Sequence, residues 1–453
     1  MLTISKIPTL IENAKSNRSI LFIGAPGVGK SYGVLKGAKL RAQKANKKFV
    51  QYAFNHRLDT NQRLGDDMLN NNLLLDIFDN PDKYFIFVDL RLTTVEPVDL
   101  QGKMEDVQIK TNRQTIEYTI TKPPLWAVLL SMCEGVLFLD ELLDVQRPDV
   151  KSASYQLLLD KMAGNVKFND NVLVVAAGNN SEVSCLSSGL SLPQARRLRI
   201  FTIKPPAVKE WQAFMDETYE NYDKGVLLYL TKYKDALLKL PVEEMSGGNI
   251  SDVIYKSETT EPFPTPDAWT HLALGLYTKE YEKEGVDLSE FISSYIGEQE
   301  GRTFELFYKE LISIDIDEIL KNPEGVNKLN WNQKAAVISQ MASQINDDVQ
   351  NLVKYKELLD TLVFDKSNNT VNSDYIAIFA SCLKSKMPDN INIMAFSKLI
   401  PKDDLEILNN SLNRNKLLKY STIILYLLQA IDNRYEECTV GLCDTIMKIK
   451  KGD

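Results

Sequence analysis

The stretch ILFIGAPGVGKS, residues 20–31, joins an apolar run to a glycine-rich turn that ends in lysine and serine. Residues 24–31 match the pattern G-x-x-x-x-G-K-[ST], whose glycines let the backbone curl around an anion with its N–H groups pointing inward. The pattern SYGVLKGAKLRAQKA then predicts a helix, whose positive dipole end would face the same anion. The stretch therefore predicts a phosphate-binding loop between a buried strand and a helix.

The side chains of this loop predict ATP and Mg²⁺ as its ligands. Lys30 would place a positive charge on the outer phosphates, which makes it a catalytic candidate, and the Ser31 hydroxyl would bind the metal. The residues predicted to bind the nucleotide are Gly24, Ala25, Pro26, Gly27, Val28, Gly29, Lys30, Ser31 and Tyr32.

Short apolar runs rich in Val, Ile and Phe predict buried strands at residues 19–24, 84–90, 135–141, 171–179 and 198–203. Because helical patterns separate these runs, we predict a parallel sheet with helices on both faces, an α/β P-loop NTPase fold. From residue 209 the strand signal ends and apolar residues recur at helical spacing. The predicted domains are an α/β nucleotide-binding domain at 1–206, an all-α lid at 207–315 and a helical C-terminal extension at 316–453.

A pair of carboxylates ends the predicted strand 135–141. The carboxyl ends of parallel strands lie at the edge that carries the phosphate loop. We therefore expect Asp140 to bind Mg²⁺ and Glu141 to orient and deprotonate the attacking water. Taken alone, the motif could be a strand that ends in solvated charges. Beside the loop, it favours hydrolysis over transfer to a small substrate.

Two further polar residues follow or precede later strands. Asn179 ends the strand 171–179 and could bond the γ-phosphate or the attacking water, although an ordinary turn would also place asparagine there. Arg197 lies in the cluster ARRLR just before the last strand. An arginine that reaches the phosphates of a neighbouring subunit raises the rate of hydrolysis by a factor of about 10³–10⁵. A solvated basic cluster is the alternative.

Composition limits the function classes. The chain has 453 residues and a net charge of -8, which argues against a protein that mainly coats nucleic acid but leaves a local basic channel possible. Its five scattered cysteines and two histidines indicate free thiols in a reducing compartment and argue against zinc. The apolar runs are too short to span a bilayer and the start is too polar for a secretion signal. We expect a cytoplasmic protein without membrane insertion.

In their order along the chain, these motifs resemble the AAA+ ATPases, and within them the MoxR and dynein-related (midasin-like) branch. Asn179 matches the sensor asparagine of that family, and Arg197 matches its arginine finger. The resemblance covers roughly residues 8–310, and its further matches are residues 87–104, 122–130, 147–162, 261–273 and 293–307.

The resemblance implies Mg²⁺-dependent ATP hydrolysis in a homo-oligomeric ring, a hexamer, that remodels or matures a protein client. In this branch the partner can carry a von Willebrand-type domain, which here would lie on another chain. One alternative is a nucleic-acid-directed motor of the helicase-loader or restriction type, with Lys103, Lys110 and Arg113 lining its pore. Another is a regulatory scaffold that hydrolyses ATP slowly.

The chain departs from the branch at three places. Asp267 stands where the lid's sensor arginine is expected, and a carboxylate there cannot contact γ-phosphate favourably. Leu142 replaces the usual asparagine after Glu141. The segment 47–83 is longer than usual, and we expect it to form an added hairpin or helix used for recognition.

Overall fold

The computed structural model describes residues 1–53, 63–64, 72–110, 112, 114–179, 195–241, 261–347, 351–365, 370–371, 375, 378–379 and 382. The chain divides into two compact units. The first comprises Met1–Glu210 and Leu238–Ala268, and the second comprises Trp211–Leu237 and Trp269–Asp453.

The first unit is built on a seven-stranded sheet in which all neighbouring strands are parallel. The strands of this unit are β1 (Ile20–Ile23), β2 (Lys48–Ala53), β3 (Arg63–Leu64), β4 (Tyr84–Arg91), β5 (Lys103–Lys110), β6 (Thr115–Lys122), β7 (Glu134–Asp140), β8 (Met162–Ala163), β9 (Val166–Lys167), β10 (Leu173–Gly178) and β11 (Arg199–Thr202). The sheet order is β11-β1-β10-β7-β4-β2-β3. The five predicted strands and their parallel arrangement are confirmed.

Helices cover both faces of this sheet. They are α1 (Ile7–Asn13), α2 (Lys30–Lys44), α3 (Asn72–Asp79), α4 (Pro97–Gln101), α5 (Leu125–Met132) and α6 (Pro148–Asp160). Successive residues of a strand point to opposite faces, so Phe22 packs with α1 and α2 whereas Leu21 packs with α4, α5 and α6. With the glycine-rich loop between β1 and α2, this is an α/β P-loop NTPase fold.

Helix α1 lies close against α2 because two glycines of α2 have no side chain. A Cβ on Gly37 would lie 2.6 Å from Ile11 Cβ and 2.8 Å from the Pro8 carbonyl oxygen, and one on Gly33 would lie 3.1 Å from Ile7. The contact fixes α1 on the helix that follows the phosphate loop.

The segment 47–83 adds to one side of the sheet. It supplies strand β2, the edge strand β3 and the helix α3. The predicted added helix is present. The described residues of the segment do not form the predicted hairpin, because β2 pairs in parallel with both β3 and β4. Residues 54–62 and 65–71 of this segment lie outside the described part of the chain.

Two strands outside the seven-stranded sheet form a separate antiparallel ribbon. Strands β5 and β6 pair with each other along all eight of their residues, from Lys103 opposite Lys122 to Lys110 opposite Thr115. At the base of the ribbon Gly102 has φ +93° and approaches the Lys122 carbonyl so closely that a Cβ would lie 2.2 Å from its oxygen. The shorter strands β8 and β9 form a second antiparallel pair.

Helices follow the sheet, as predicted. They are α7 (Val208–Thr218), α8 (Lys224–Lys232), α9 (Pro266–Thr278), α10 (Glu280–Glu284), α11 (Leu288–Ile296), α12 (Glu298–Ile312), α13 (Ile316–Lys321), α14 (Trp331–Asp347) and α15 (Asn351–Val363). A pair of two-residue strands, β12 (Phe364–Asp365) and β13 (Thr370–Val371), interrupts the predicted all-helical extension. Within the described residues, no helix is long and apolar enough to cross a membrane.

The second unit has an aromatic core. The rings of Tyr229, Trp269 and Phe304 pack with centroid separations of 5.1 to 5.6 Å. The predicted apolar stripes of the later helices are buried, as shown by Ile338 and Met341. Residues 383–453 of the predicted C-terminal extension lie outside the described residues. The domain boundaries at 206 and 315 stay predictions.

Candidate functional site

The candidate site lies at the edge of the sheet where β1, β7 and β10 end. The loop after β1 turns through Gly27 at φ +67° and Gly29 at φ +92°, a backbone region that other residues rarely adopt. Because the three strands are parallel and adjacent, Asp140 at the end of β7 and Asn179 after β10 meet this loop.

Lys30 links the loop to the end of β10. Its buried Nζ donates to the carbonyl oxygens of Gly24 at 2.9 Å and Ala25 at 2.8 Å, and to Asn179 Oδ1 at 3.2 Å. The ammonium group therefore donates to backbone carbonyl oxygens, and phosphate oxygens would take their place as acceptors when an anion binds.

Burial makes this lysine a weak base. Removal from water lowers the pKa of Lys30 to about 8, while the negative charges of Asp140 and Asp144 oppose that shift. A bound phosphate would add further negative charge and favour the protonated form. The site thus couples anion binding to the protonation of Lys30.

Ser31 and Asp140 form the oxygen-rich part of the site. Ser31 Oγ donates to Asp140 Oδ2 at 2.8 Å, and the backbone N–H of Glu141 donates to Asp140 Oδ1 at 3.0 Å. A hydroxyl and a carboxylate are oxygen ligands of the kind that Mg²⁺ prefers. They lie next to a loop built to receive phosphate, so the residues present fit a magnesium–nucleotide complex.

Asp144 ties the site to the turn after β7 and was not predicted as a site residue. Its buried carboxylate accepts from Asn179 Nδ2 at 2.9 Å, so Asn179 bridges Asp144 and Lys30. Gly178 permits this approach, since a Cβ there would lie 2.6 Å from Leu143 Cγ. The only sequence signal was a third acid, three residues after Glu141, in DELLD.

Glu141 adopts a left-handed backbone conformation, with φ 60° and ψ 30°. Its carboxylate accepts a hydrogen bond from Thr93 Oγ1 and lies 3.3 Å from Arg91 Nε. Both partners belong to the end of β4 and the turn after it, on the side of β7 away from β10. Neither had been predicted as a functional residue, because nothing in their local sequence indicates the contact.

Arg197 is not brought to this edge. It precedes β11, whose first residues pair with the start of β1, and its exposed guanidinium lies 3.8 Å from Asp160 Oδ1. A strand of four residues spans about 13 Å. Arg197 therefore sits at the opposite edge of the sheet from its own phosphate loop.

The remaining loop residues surround the turn. Val28 is buried, whereas Tyr32 is on the exposed side of the first turn of α2. A distant segment of the same unit lies against the loop: the backbone N–H of Asp267 donates to the Gly27 carbonyl at 3.2 Å, and Thr265 lies beside Gly27.

No protein-family model matches the chain, and no curated protein matches it in sequence. Among solved structures it is similar to AMPPCP-bound DnaA from Aquifex aeolicus, with 13% identity, coverage of 94% of this chain and 92% of that one, and a TM-score of 0.28. It is also similar to the Aeropyrum pernix ORC1 protein in complex with DNA, at 11% identity, 84% and 81% coverage and a TM-score of 0.31. NtrX from Brucella abortus matches at 13% identity, 68% and 68% coverage and a TM-score of 0.27. At these TM-scores the similarities carry no functional argument, and the fold class rests on the sheet and its loop.

Proposed function

We propose that this chain is a Mg²⁺-dependent ATPase of the AAA+ superfamily. The observation that carries the proposal is the meeting of Lys30, Ser31, Asp140 and Asn179 at one glycine-rich loop. Loop residues Gly24 to Tyr32 would hold the phosphates, and the sequence motifs beyond the loop support the MoxR-like branch. A cytoplasmic location stays part of the same proposal.

In the proposed reaction each side chain has one task. Lys30 exchanges its backbone acceptors for phosphate oxygens, and Asn179 orients the γ-phosphate or the attacking water. Ser31 and Asp140 hold Mg²⁺, which when bound neutralises charge on the phosphate oxygens. Glu141 accepts the proton of the attacking water.

Glu141 must first leave the donors that hold it. Its contacts with Arg91 and Thr93 engage both carboxylate oxygens. We infer that the described arrangement is a resting state of the site.

Phosphate release tests the proposed hydrolysis. The wild-type protein should release phosphate from ATP only with Mg²⁺, and Glu141→Gln should lower turnover by at least about 10²-fold. Asp170→Asn, which removes an acid from the turn before β10 at the other edge of the sheet, is the matched control and should turn over normally. Near-normal turnover by Glu141→Gln would refute the assignment of the base.

We propose a homo-oligomeric ring, a hexamer as in the resembled branch, because Arg197 lies at the wrong edge to serve its own site. In a ring the exposed Arg197 of one subunit would reach the phosphates of the next. Mixing two inactive variants tests this. Arg197→Ala keeps an intact base, whereas Glu141→Gln keeps an intact finger, so mixed rings should recover part of the activity. No recovery in rings shown to be mixed would refute the role of Arg197 in the neighbouring site.

The β5–β6 ribbon supports a protein client. In an antiparallel pair, residues directly opposite each other lie on the same face. The register therefore puts five apolar side chains on one face, and four of them are exposed. These residues are Val107, Ile109, Ile116, Tyr118 and Ile120.

The charges of the ribbon do not suit nucleic acid. Its three lysines are balanced by Glu105, Asp106 and Glu117, and Lys122 pairs with Glu105 at 2.7 Å. Lys103 and Lys110, the pore residues of the nucleic-acid alternative, lie at opposite ends of β5. Arg113 lies outside the described residues. An apolar face on a ribbon without excess positive charge favours a polypeptide as the partner. We propose that this polypeptide is a protein with a von Willebrand-type domain on another chain.

Stimulated turnover separates the two partner classes. An unfolded polypeptide such as casein should raise the ATP turnover of the wild type, and Ile116→Asp should abolish that stimulation without changing basal turnover. Thr115→Asp, at an exposed position on the polar face directly opposite Lys110, is the matched control. Stimulation by duplex DNA that falls steeply with salt would instead establish the nucleic-acid alternative.

A further inference from the structure

The charges of the β5–β6 ribbon balance as a whole, but its base carries two lysines directly opposite each other. Lys103 faces Lys122 in the register, so both lie on the face with the five apolar residues, here called the apolar face. Like charges in such a pair repel each other. The acid on this face is Glu105, which contacts Lys122 at 2.7 Å. The hydrogen bond and charge of Lys122, followed by the charge of Lys103, lower the pKa of the Glu105 carboxyl. One carboxylate therefore serves two ammonium groups.

The exposed apolar side chains continue from this lysine pair toward the tip of the ribbon. Ile120, Tyr118 and the opposed pair Ile109 and Ile116 are 38 to 49% exposed. Because a strand rises about 3.4 Å per residue, these three steps lie roughly 7, 14 and 20 Å from the lysine pair. A contiguous apolar surface beside charged groups is typical of a contact site for another molecule.

The ribbon offers backbone groups as well as side chains. Within the described part of the chain, neither β5 nor β6 pairs with a third strand. One edge of each strand can therefore accept an extended polypeptide as an added strand. An added strand would present every second side chain on the apolar face, so its side chains would repeat at the same 7 Å steps.

We propose that the ribbon binds an extended client segment with one acidic side chain and with apolar side chains two, four and six residues away from it. This inference rests on the proposed function, because it specifies the client that the ribbon takes. The acid contacts Lys103 and Lys122 and relieves their repulsion, while the apolar side chains cover the exposed row beyond them. The segment can run in either direction along the ribbon, since both directions give the same spacing.

Fluorescence anisotropy of two labelled peptides with the full chain tests the proposal. The first is a heptapeptide with Glu at its first position, Val at positions three and seven, Tyr at position five and Ser elsewhere. The second has Gln in place of Glu, and both peptides are also measured in reversed order. In one of the two orders, the wild type should bind the Glu peptide about two- to fivefold more tightly than the Gln peptide, and salt should reduce this preference.

Two lysine variants locate the acid contact. Lys103→Gln should remove the preference for the Glu peptide, because it removes one of the two opposed charges. Lys110→Gln is the matched control, since Lys110 lies on the polar face, and it should keep the preference. An equal preference in the wild type and Lys103→Gln would refute the role of the lysine pair.

Ile116→Asp tests the apolar face itself. It should weaken both peptides by about tenfold or more with unchanged thermal unfolding, because it puts a charge where an apolar contact forms. Peptide binding that survives this change would place the site elsewhere and refute the proposal. Displacement of the peptides by duplex DNA would refute it in favour of a nucleic-acid partner. A changed oligomeric state of Ile116→Asp with unchanged peptide affinity would refute it in favour of contact between copies of this chain.

Phosphate release from ATP by the same preparation separates this inference from the function on which it rests. If the wild type hydrolyses ATP but binds neither peptide in either order, the client inference fails and the ATPase stands. If the wild type binds the Glu peptide as expected but releases no phosphate, the proposed ATPase fails and the binding face of the ribbon stands.

Discussion

Replacing Asp144 by Asn should change the pH range in which the site binds nucleotide. The Asp144 carboxylate is buried and lies one amide group away from Lys30, because Asn179 contacts both at 2.9 and 3.2 Å. Its negative charge helps to keep the lysine protonated against the effect of burial. Asp144→Asn removes this charge and retains an oxygen that can still accept from Asn179.

The size of the effect follows from the geometry. Two hydrogen bonds and one amide group separate the charges by roughly 7 Å, which at an effective dielectric constant of about 20 corresponds to about 2 kcal/mol. Protonated Lys30 binds phosphate, and its pKa is about 8 in the wild type. Affinity should therefore be constant below that pH and fall above it. In Asp144→Asn the fall should begin roughly one to two pH units lower.

The assay is equilibrium binding of AMPPCP with Mg²⁺ between pH 6 and pH 9.5. Lys30→Arg supplies the reference, because its guanidinium stays charged throughout this range and leaves only the titration of the nucleotide itself. Relative to that reference, the wild type should show a break near pH 8 and Asp144→Asn an earlier one. Equal breaks in the wild type and Asp144→Asn would refute the coupling between the two residues.

Two further predictions concern packing and the base. Gly37→Ala should lower the free energy of unfolding by about 1 to 3 kcal/mol, because the new methyl group would overlap Ile11 and the Pro8 carbonyl. Chemical denaturation measures this change, and Gln43→Ala, at an exposed position of the same helix, is the control. Equal stability of the two variants would contradict the close α1–α2 contact. Arg91→Ala should raise basal ATP turnover roughly two- to fivefold by freeing Glu141. The control Arg302→Ala, which breaks an exposed helical ion pair, should leave turnover unchanged. A fall in the turnover of Arg91→Ala would show instead that Arg91 aids the reaction.

The elements that the sequence predicts best are those with a strong local signal. Strands β1, β4, β7 and β10 are buried on both faces, so each is a nearly continuous apolar run. Once they are parallel, their carboxyl ends must share an edge, which is why Asp140 and Asn179 could be placed beside the loop. Strand β2 lies next to the edge strand, and its polar residues Lys48 and Gln51 interrupt the apolar run. The sequence therefore does not predict it as a buried strand.

The contacts that the sequence does not reveal join segments far apart along the chain. Thr93 and Arg91 meet Glu141 only because β4 and β7 are neighbours in register. Asp267 meets Gly27 because the chain returns to the first unit before α9. Local pattern carries no information on such contacts, since each depends on how whole elements pack.

The central claim is that Glu141 activates water at an ATP site formed by this sheet edge. The most direct measurement is the chemical identity of the nucleotide bound to Glu141→Gln after incubation with Mg²⁺ and ATP and removal of free ligand. Glutamine keeps the size of the side chain but cannot take the proton, so the bound nucleotide should be ATP in the variant and ADP in the wild type. Recovery of ADP from Glu141→Gln at the wild-type rate would contradict the account.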